Sequence, residues 1–86
     1  MVEAVEDTLG RRIISARMRR GVTQAELARI LGISANAMVN IEKGRNVPRA
    51  DRLRAIAQAL RVSSDYLLGL DDEEAVSAPA KVAGKR

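Results

Sequence analysis

Residues 23–44 read Thr23-Gln24-Ala25-Glu26-Leu27-Ala28-Arg29-Ile30-Leu31-Gly32-Ile33-Ser34-Ala35-Asn36-Ala37-Met38-Val39-Asn40-Ile41-Glu42-Lys43-Gly44. Thr23 and Glu26 have the spacing of a capping box, a hydroxyl for the first free N–H groups and a carboxylate that reaches back. They open a helix expected over about Gln24 to Leu31, with Leu27, Ala28 and Leu31 on its buried face and Gly32 as its stop. Ser34 is placed to cap a second helix, expected over about Ala35 to Lys43, and Gly44 to end it. Met38 and Ile41 point to one side of that helix. Asn36, Asn40 and Lys43 recur at i, i+4 and i+7 on nearly the opposite side. Asn is a poor mid-helix residue, so two on one outward stripe ask for a reason beyond solvation.

The link between the two helices is Gly32-Ile33-Ser34. A three-residue turn containing Gly sets two helices at a steep angle, the helix-turn-helix arrangement. Gly32 can take the positive φ of the turn, and Ile33 can plug the corner. The second helix of such a unit fits the major groove of duplex DNA. Upstream, Leu9, Ile13 and Ala16 form the apolar stripe of a first helix over about Thr8 to Arg20, closed by Gly21. Downstream, Pro48 breaks the chain. A fourth helix is expected from about Ala50 to Leu60, burying Leu53, Ile56, Ala57 and Leu60. Ser63 caps a short fifth helix, Ser64 to about Leu68, closed by Gly69. The expected fold class is all-α, a compact bundle of five short helices.

The chain has 86 residues, with no Cys, no His and a single aromatic, Tyr66. That bounds it to one small domain and removes disulfides, thiol nucleophiles, imidazole acid–base chemistry and the usual zinc sites. With no Gly-rich phosphate loop and no converging carboxylates either, an enzyme, a cofactor and a metal centre are not expected. Asp71-Asp72-Glu73-Glu74 lacks the spaced ligands and Gly of a calcium loop. No apolar run is long enough to span a membrane, and the acidic N-terminus has no apolar signal core, so the expected location is cytoplasmic.

Charge divides the chain into three. Residues 1–9 carry a net −3, residues 10–70 a net +8 and residues 71–86 a net −1. A basic block between acidic ends suits a polyanionic partner such as a nucleic acid, or is simply a solvated basic surface. The expected organisation is an acidic N-terminal extension (1–8), a helix-turn-helix domain (9–70) and a flexible C-terminal tail (71–86). The tail is too polar and small in composition to pack a core of its own, and is a candidate site for a protein partner.

Gly21-Val22-Thr23-Gln24-Ala25-Glu26-Leu27-Ala28, then Leu31-Gly32-Ile33-Ser34, then Ile41-Glu42-Lys43-Gly44-Arg45 and Pro48, closely resemble the Cro/phage-repressor-type (XRE-like) helix-turn-helix family. Ile56-Ala57, Ala59-Leu60, Val62-Ser63 and Leu67-Leu68 match the family's last two helices. The resemblance spans about residues 9–70. It implies a lambda-repressor-like domain that regulates transcription, usually as a homodimer on a palindromic operator. It also implies residue roles. Ala35, Asn36 and Asn40 meet base edges. Thr23 and Gln24, at the start of the first helix of the motif, meet phosphates, and Gln24 also supports the recognition helix. Lys43, Arg45 and Asn46 grip phosphates, and Arg17 bridges to Glu42.

Four positions depart from the family pattern. Ala35 offers only a methyl, Ala37 lets the helix approach closely, and Val39 is suited to thymine methyls. Arg49 stands where a Ser or Thr cap is usual, so the fourth helix is expected to start weakly or late. Asn36 and Asn40 are expected to read adenine, N–H to N7 and C=O from N6–H. Tyr66, Leu67, Leu68 and Leu70 are candidate dimer contacts, with some of them needed for the core. The competing reading is an antitoxin-type interaction module that covers a toxin, with DNA binding serving autoregulation.

Overall fold

The computed structural model describes residues 8–70. They form five helices: α1 (Leu9–Arg19), α2 (Gln24–Leu31), α3 (Ala35–Glu42), α4 (Ala50–Leu60) and α5 (Ser64–Leu67). No strand occurs among the described residues. All but Thr8 of the N-terminal extension, and all of the 71–86 tail, lie outside them.

The helix starts follow from short polar side chains. The hydroxyls of Thr8, Thr23, Ser34 and Ser63 each accept a backbone N–H three residues on. At Thr23 the box is complete, because Glu26 Oε1 accepts from the Thr23 N–H at 2.9 Å. The helix α4 is the exception. Its cap position is Arg49, with no side-chain hydrogen bond, but the helix is not displaced and begins at Ala50 as expected. Asp51 places a carboxylate in its first turn and accepts from the Arg52 N–H at 2.8 Å.

The ends share one motif. After α3, the Gly44 N–H reaches back to the Ile41 carbonyl and the Arg45 N–H to the Asn40 carbonyl, a Schellman closure with Gly44 at φ 83°. The other helices close the same way, and α4 does so with Arg61 at φ 60°, a left-handed conformation that disfavours a side chain. The Arg20 guanidinium offsets that cost from across the fold. It donates to the carbonyls of Leu60 (2.7 Å) and Arg61 (3.0 Å), where the negative end of the α4 dipole lies.

The core gathers Ile13 and Ala16 from α1, Leu27 and Ala28 from α2, Met38 and Ile41 from α3, Ile56, Ala57 and Leu60 from α4, then Val62, Tyr66 and Leu67. Leu9, Leu31, Ile33 and Leu53 pack against it half-buried. Helix α2 packs most closely on α3, and α3 also rests on α1. Between α3 and the start of α4 lies instead a cleft of about 360 Å³, lined by Ala37, Ile41, residues 46–49, Asp51 and Arg52. No helix of the described residues is long and apolar enough to cross a membrane.

Candidate nucleic-acid interface

The second helix of the motif, α3, is held from behind by its last residue. Glu42 ends α3, where the helix dipole disfavours a negative charge. Its carboxylate is nevertheless almost fully buried, with 2% of the side chain exposed. An unpaired carboxylate there would cost several kcal/mol. Arg17 of α1 supplies a fork: Nε donates to Oε2 at 2.9 Å and Nη2 to Oε1 at 3.3 Å. Gln24 Nε2 adds a third bond to Oε1 at 2.9 Å. The remaining Arg17 nitrogen, Nη1, donates to the Val22 carbonyl at 3.1 Å, which ties the α1–α2 link into the same network. One carboxylate thereby joins α1, α2 and α3.

A steric contact completes the seat. Gly10 is buried against the end of α3. A Cβ at this position would overlap the Glu42 carbonyl oxygen and lie 2.7 Å from its carbon and 3.0 Å from the Ile41 oxygen. Gly10 and Arg17 are seven residues apart on one face of α1, so this face accepts the backbone of Glu42 at one point and its side chain at another. Nothing in the sequence singles out Gly10.

On the outward side of α3, Ala35 and Asn36 are exposed, while Val39 and Asn40 are half-buried. Thr23 is exposed at the start of α2. Gln24 is half-buried, and its amide nitrogen gives one of its two N–H groups to Glu42. Lys43, Arg45 and Asn46 are exposed beyond the end of α3. Arg45 folds back on the helix, its Nη1 donating to Asn40 Oδ1 at 3.3 Å. The structure thus brings Thr23, Asn36, Asn40, Lys43, Arg45 and Asn46 to the edges and outward side of the same two helices. It also adds Arg49 and Arg52, exposed cations on the cleft beside Asn46. Arg49 is the cap residue of α4 and Arg52 lies in its first turn, three residues on.

The candidate dimer contacts divide by burial. Leu67 is fully buried, and Tyr66 is only 8% exposed. The Arg12 guanidinium lies 4.8 Å from the Tyr66 ring centroid, and its Nη1 donates to the Tyr66 carbonyl at 3.1 Å. Tyr66 is therefore part of the fold's own core, while Leu68 (51% exposed) and Leu70 (74% exposed) face solvent.

An all-α domain whose second motif helix is clamped behind and bare in front, across a three-residue turn, is a helix-turn-helix domain. The helix-turn-helix family profile matches residues 13–67, and the chain belongs to that family in its Cro and phage-repressor branch, a family of DNA-binding transcriptional regulators rather than enzymes. The HTH-type transcriptional regulator ImmR of Bacillus subtilis is 40% identical over 65 residues, 76% of this chain and 51% of that protein. The chain thus spans about half the length of that relative. The repressor protein C2 of Salmonella phage P22 is 35% identical over 60 residues, 70% of this chain and 28% of that protein. The P22 c2 repressor solved in complex with a synthetic operator superposes with a TM-score of 0.68 and 34% identity, covering 74% of this chain and 97% of that one. The lambda-repressor-like fold implied by the sequence motifs is the fold observed.

Proposed function

We propose that this chain is a sequence-specific regulator of transcription, a repressor or controller that binds double-stranded DNA as a homodimer on a palindromic operator in the cytoplasm. The observation that carries the reading is the seating of α3. A buried carboxylate at its end is held by α1 and α2, leaving Ala35, Asn36, Val39 and Asn40 as a side-chain edge toward the major groove. Thr23, Gln24, Lys43, Arg45 and Asn46 flank that edge, and these meet the phosphates on either side. The relative that was solved on an operator shares this fold. One domain of this size reads only a few base pairs, and two-fold symmetry doubles them. Leu68 and Leu70, exposed at the end of the described chain, supply an apolar contact for the second copy. Such a dimer sets its two α3 helices about 34 Å apart, one turn of DNA.

The test is binding to duplex DNA across a salt series. A dimer that neutralises about 8–12 phosphates gives a slope of log K against log[salt] of about −7 to −11. A slope near zero, or no shift of mixed duplex at low salt, overturns the reading. A folded dimer that ignores DNA moves the chain to the interaction-module class. Sedimentation that shows a monomer at high micromolar concentration and no DNA-induced dimer removes the homodimer.

A further inference from the structure

The contact between Arg45 and Asn40 bears on which base this helix reads, and it rests on the placement of α3 in the major groove. A free Asn side chain presents one acceptor and one donor face, and that pair matches adenine, whose N7 accepts and whose N6 donates. In this structure the acceptor face is engaged. Arg45 Nη1 donates to Asn40 Oδ1 at 3.3 Å. The contact is held by the backbone as well as by the side chains. The Arg45 N–H bonds the Asn40 carbonyl at 2.9 Å and the Asn46 N–H bonds it at 3.3 Å, so the chain after α3 is folded over this residue. Gly44, at φ 83°, makes that reversal possible.

With a lone pair of Oδ1 taken by the guanidinium, the two Nδ2–H donors are the part of the amide that this contact leaves unused. The guanidinium bonded to that amide carries further N–H groups and has no acceptor. The two side chains together form an edge made of donors and carrying a positive charge. Adenine and cytosine bring an exocyclic amino group to the major groove, and that group would face donors and a cation. Guanine brings two adjacent acceptors, N7 and O6. We infer that Arg45 positions the Asn40 amide through Oδ1, so that the Asn40–Arg45 pair selects guanine rather than the adenine that Asn alone would select.

The experiment uses the full chain and a randomised duplex pool, with wild type, Asn40→Ala and Arg45→Met compared by the sequences each enriches. Circular dichroism melting of each variant confirms that it is folded, and both positions lie outside the core. Asn40→Ala is expected to erase preference at one position per half-site, and wild type is expected to favour guanine there by about ten-fold or more. Arg45→Met is expected to move that same position toward adenine and to leave the other positions as they were. Adenine at that position in wild type overturns the inference while leaving DNA binding intact. So does an Arg45→Met profile that keeps guanine while affinity falls evenly for all sequences, since Arg45 is then a phosphate contact only. An Asn40→Ala profile identical to wild type overturns the inference together with the assignment of the reading edge. A wild-type chain that enriches no sequence overturns the sequence-specific reading beneath both.

Discussion

Helices α3 and α4 follow one another in the chain but are held in different ways. Helix α3 is capped at its start by Ser34, closed at its end through Gly44 and clamped by an ion pair and an amide buried behind it. Helix α4 has no side-chain cap, closes on a strained Arg61 whose carbonyl and that of Leu60 accept from Arg20, and otherwise rests on Ile56, Ala57 and Leu60. Apolar packing is non-directional and tolerates small rotations of a helix. A fork of hydrogen bonds to one carboxylate does not, because its energy depends on angle as well as distance. The fork from Arg17 grips a side chain of α3 and so fixes its rotation, whereas the fork from Arg20 meets only the end carbonyls of α4. The body of α4 is left to packing.

The most severe test of that contrast is Glu42→Ala. It strands the Arg17 guanidinium, only 14% exposed, and the Gln24 amide. The expected cost is about 3 kcal/mol or more, a fall in Tm of at least about 12 °C for a domain of this size. Unchanged thermal melting would show that the bridge is not structural.

Next in size is Gly10→Ala. Helix propensity alone favours the change by about 1 kcal/mol. The clash with the Glu42 backbone opposes it, and the expected net result is destabilisation of about 2 kcal/mol. Because the atoms in conflict belong to the end of α3, affinity for operator DNA is expected to fall even well below the melting point. A stabilised protein with full affinity would mean that α3 shifts without consequence, and the contrast with α4 would lose its basis.

The smallest effect should come from α4. Arg49→Ser supplies the missing cap and is expected to raise stability by about 1 kcal/mol, measured by chemical denaturation. The same change removes a cation from the cleft beside α3, so binding should weaken and the salt slope should become shallower by about one per subunit. A loss of stability would indicate that Arg49 makes a contact worth more than a cap.

The sequence carried the helix boundaries to within about one residue because caps and Schellman glycines are local chemistry. Thr23 and Glu26, or Gly44 after Glu42, announce themselves within a few positions. The Arg17–Glu42 pair was legible only through the family resemblance, since the two residues are 25 apart in the chain. Three features were not legible. Gly10 in a helix looks like a small defect until the backbone it meets is known. Arg61 has the composition of an ordinary surface cation, and its left-handed backbone is imposed by the α4–α5 connection. The Arg45–Asn40 bond depends on a side chain turning back over a helix end, which no spacing rule specifies. In each case the deciding atom lies on a segment that local patterning does not connect.

The residues that hold α3 and the residues it shows outward are different residues. Met38, Ile41 and Glu42 are buried, whereas Ala35 and Asn36 are exposed and Val39 and Asn40 only partly covered. Substitutions along the outward stripe therefore leave the clamp and the core as they are, and stability does not constrain them as it constrains Glu42. For a lineage of such proteins, this separation means that recognition can drift from one site to another by single steps, each through a folded intermediate. Asn40 differs in one respect: its Oδ1 accepts from Arg45, so a change there also alters the setting of that guanidinium.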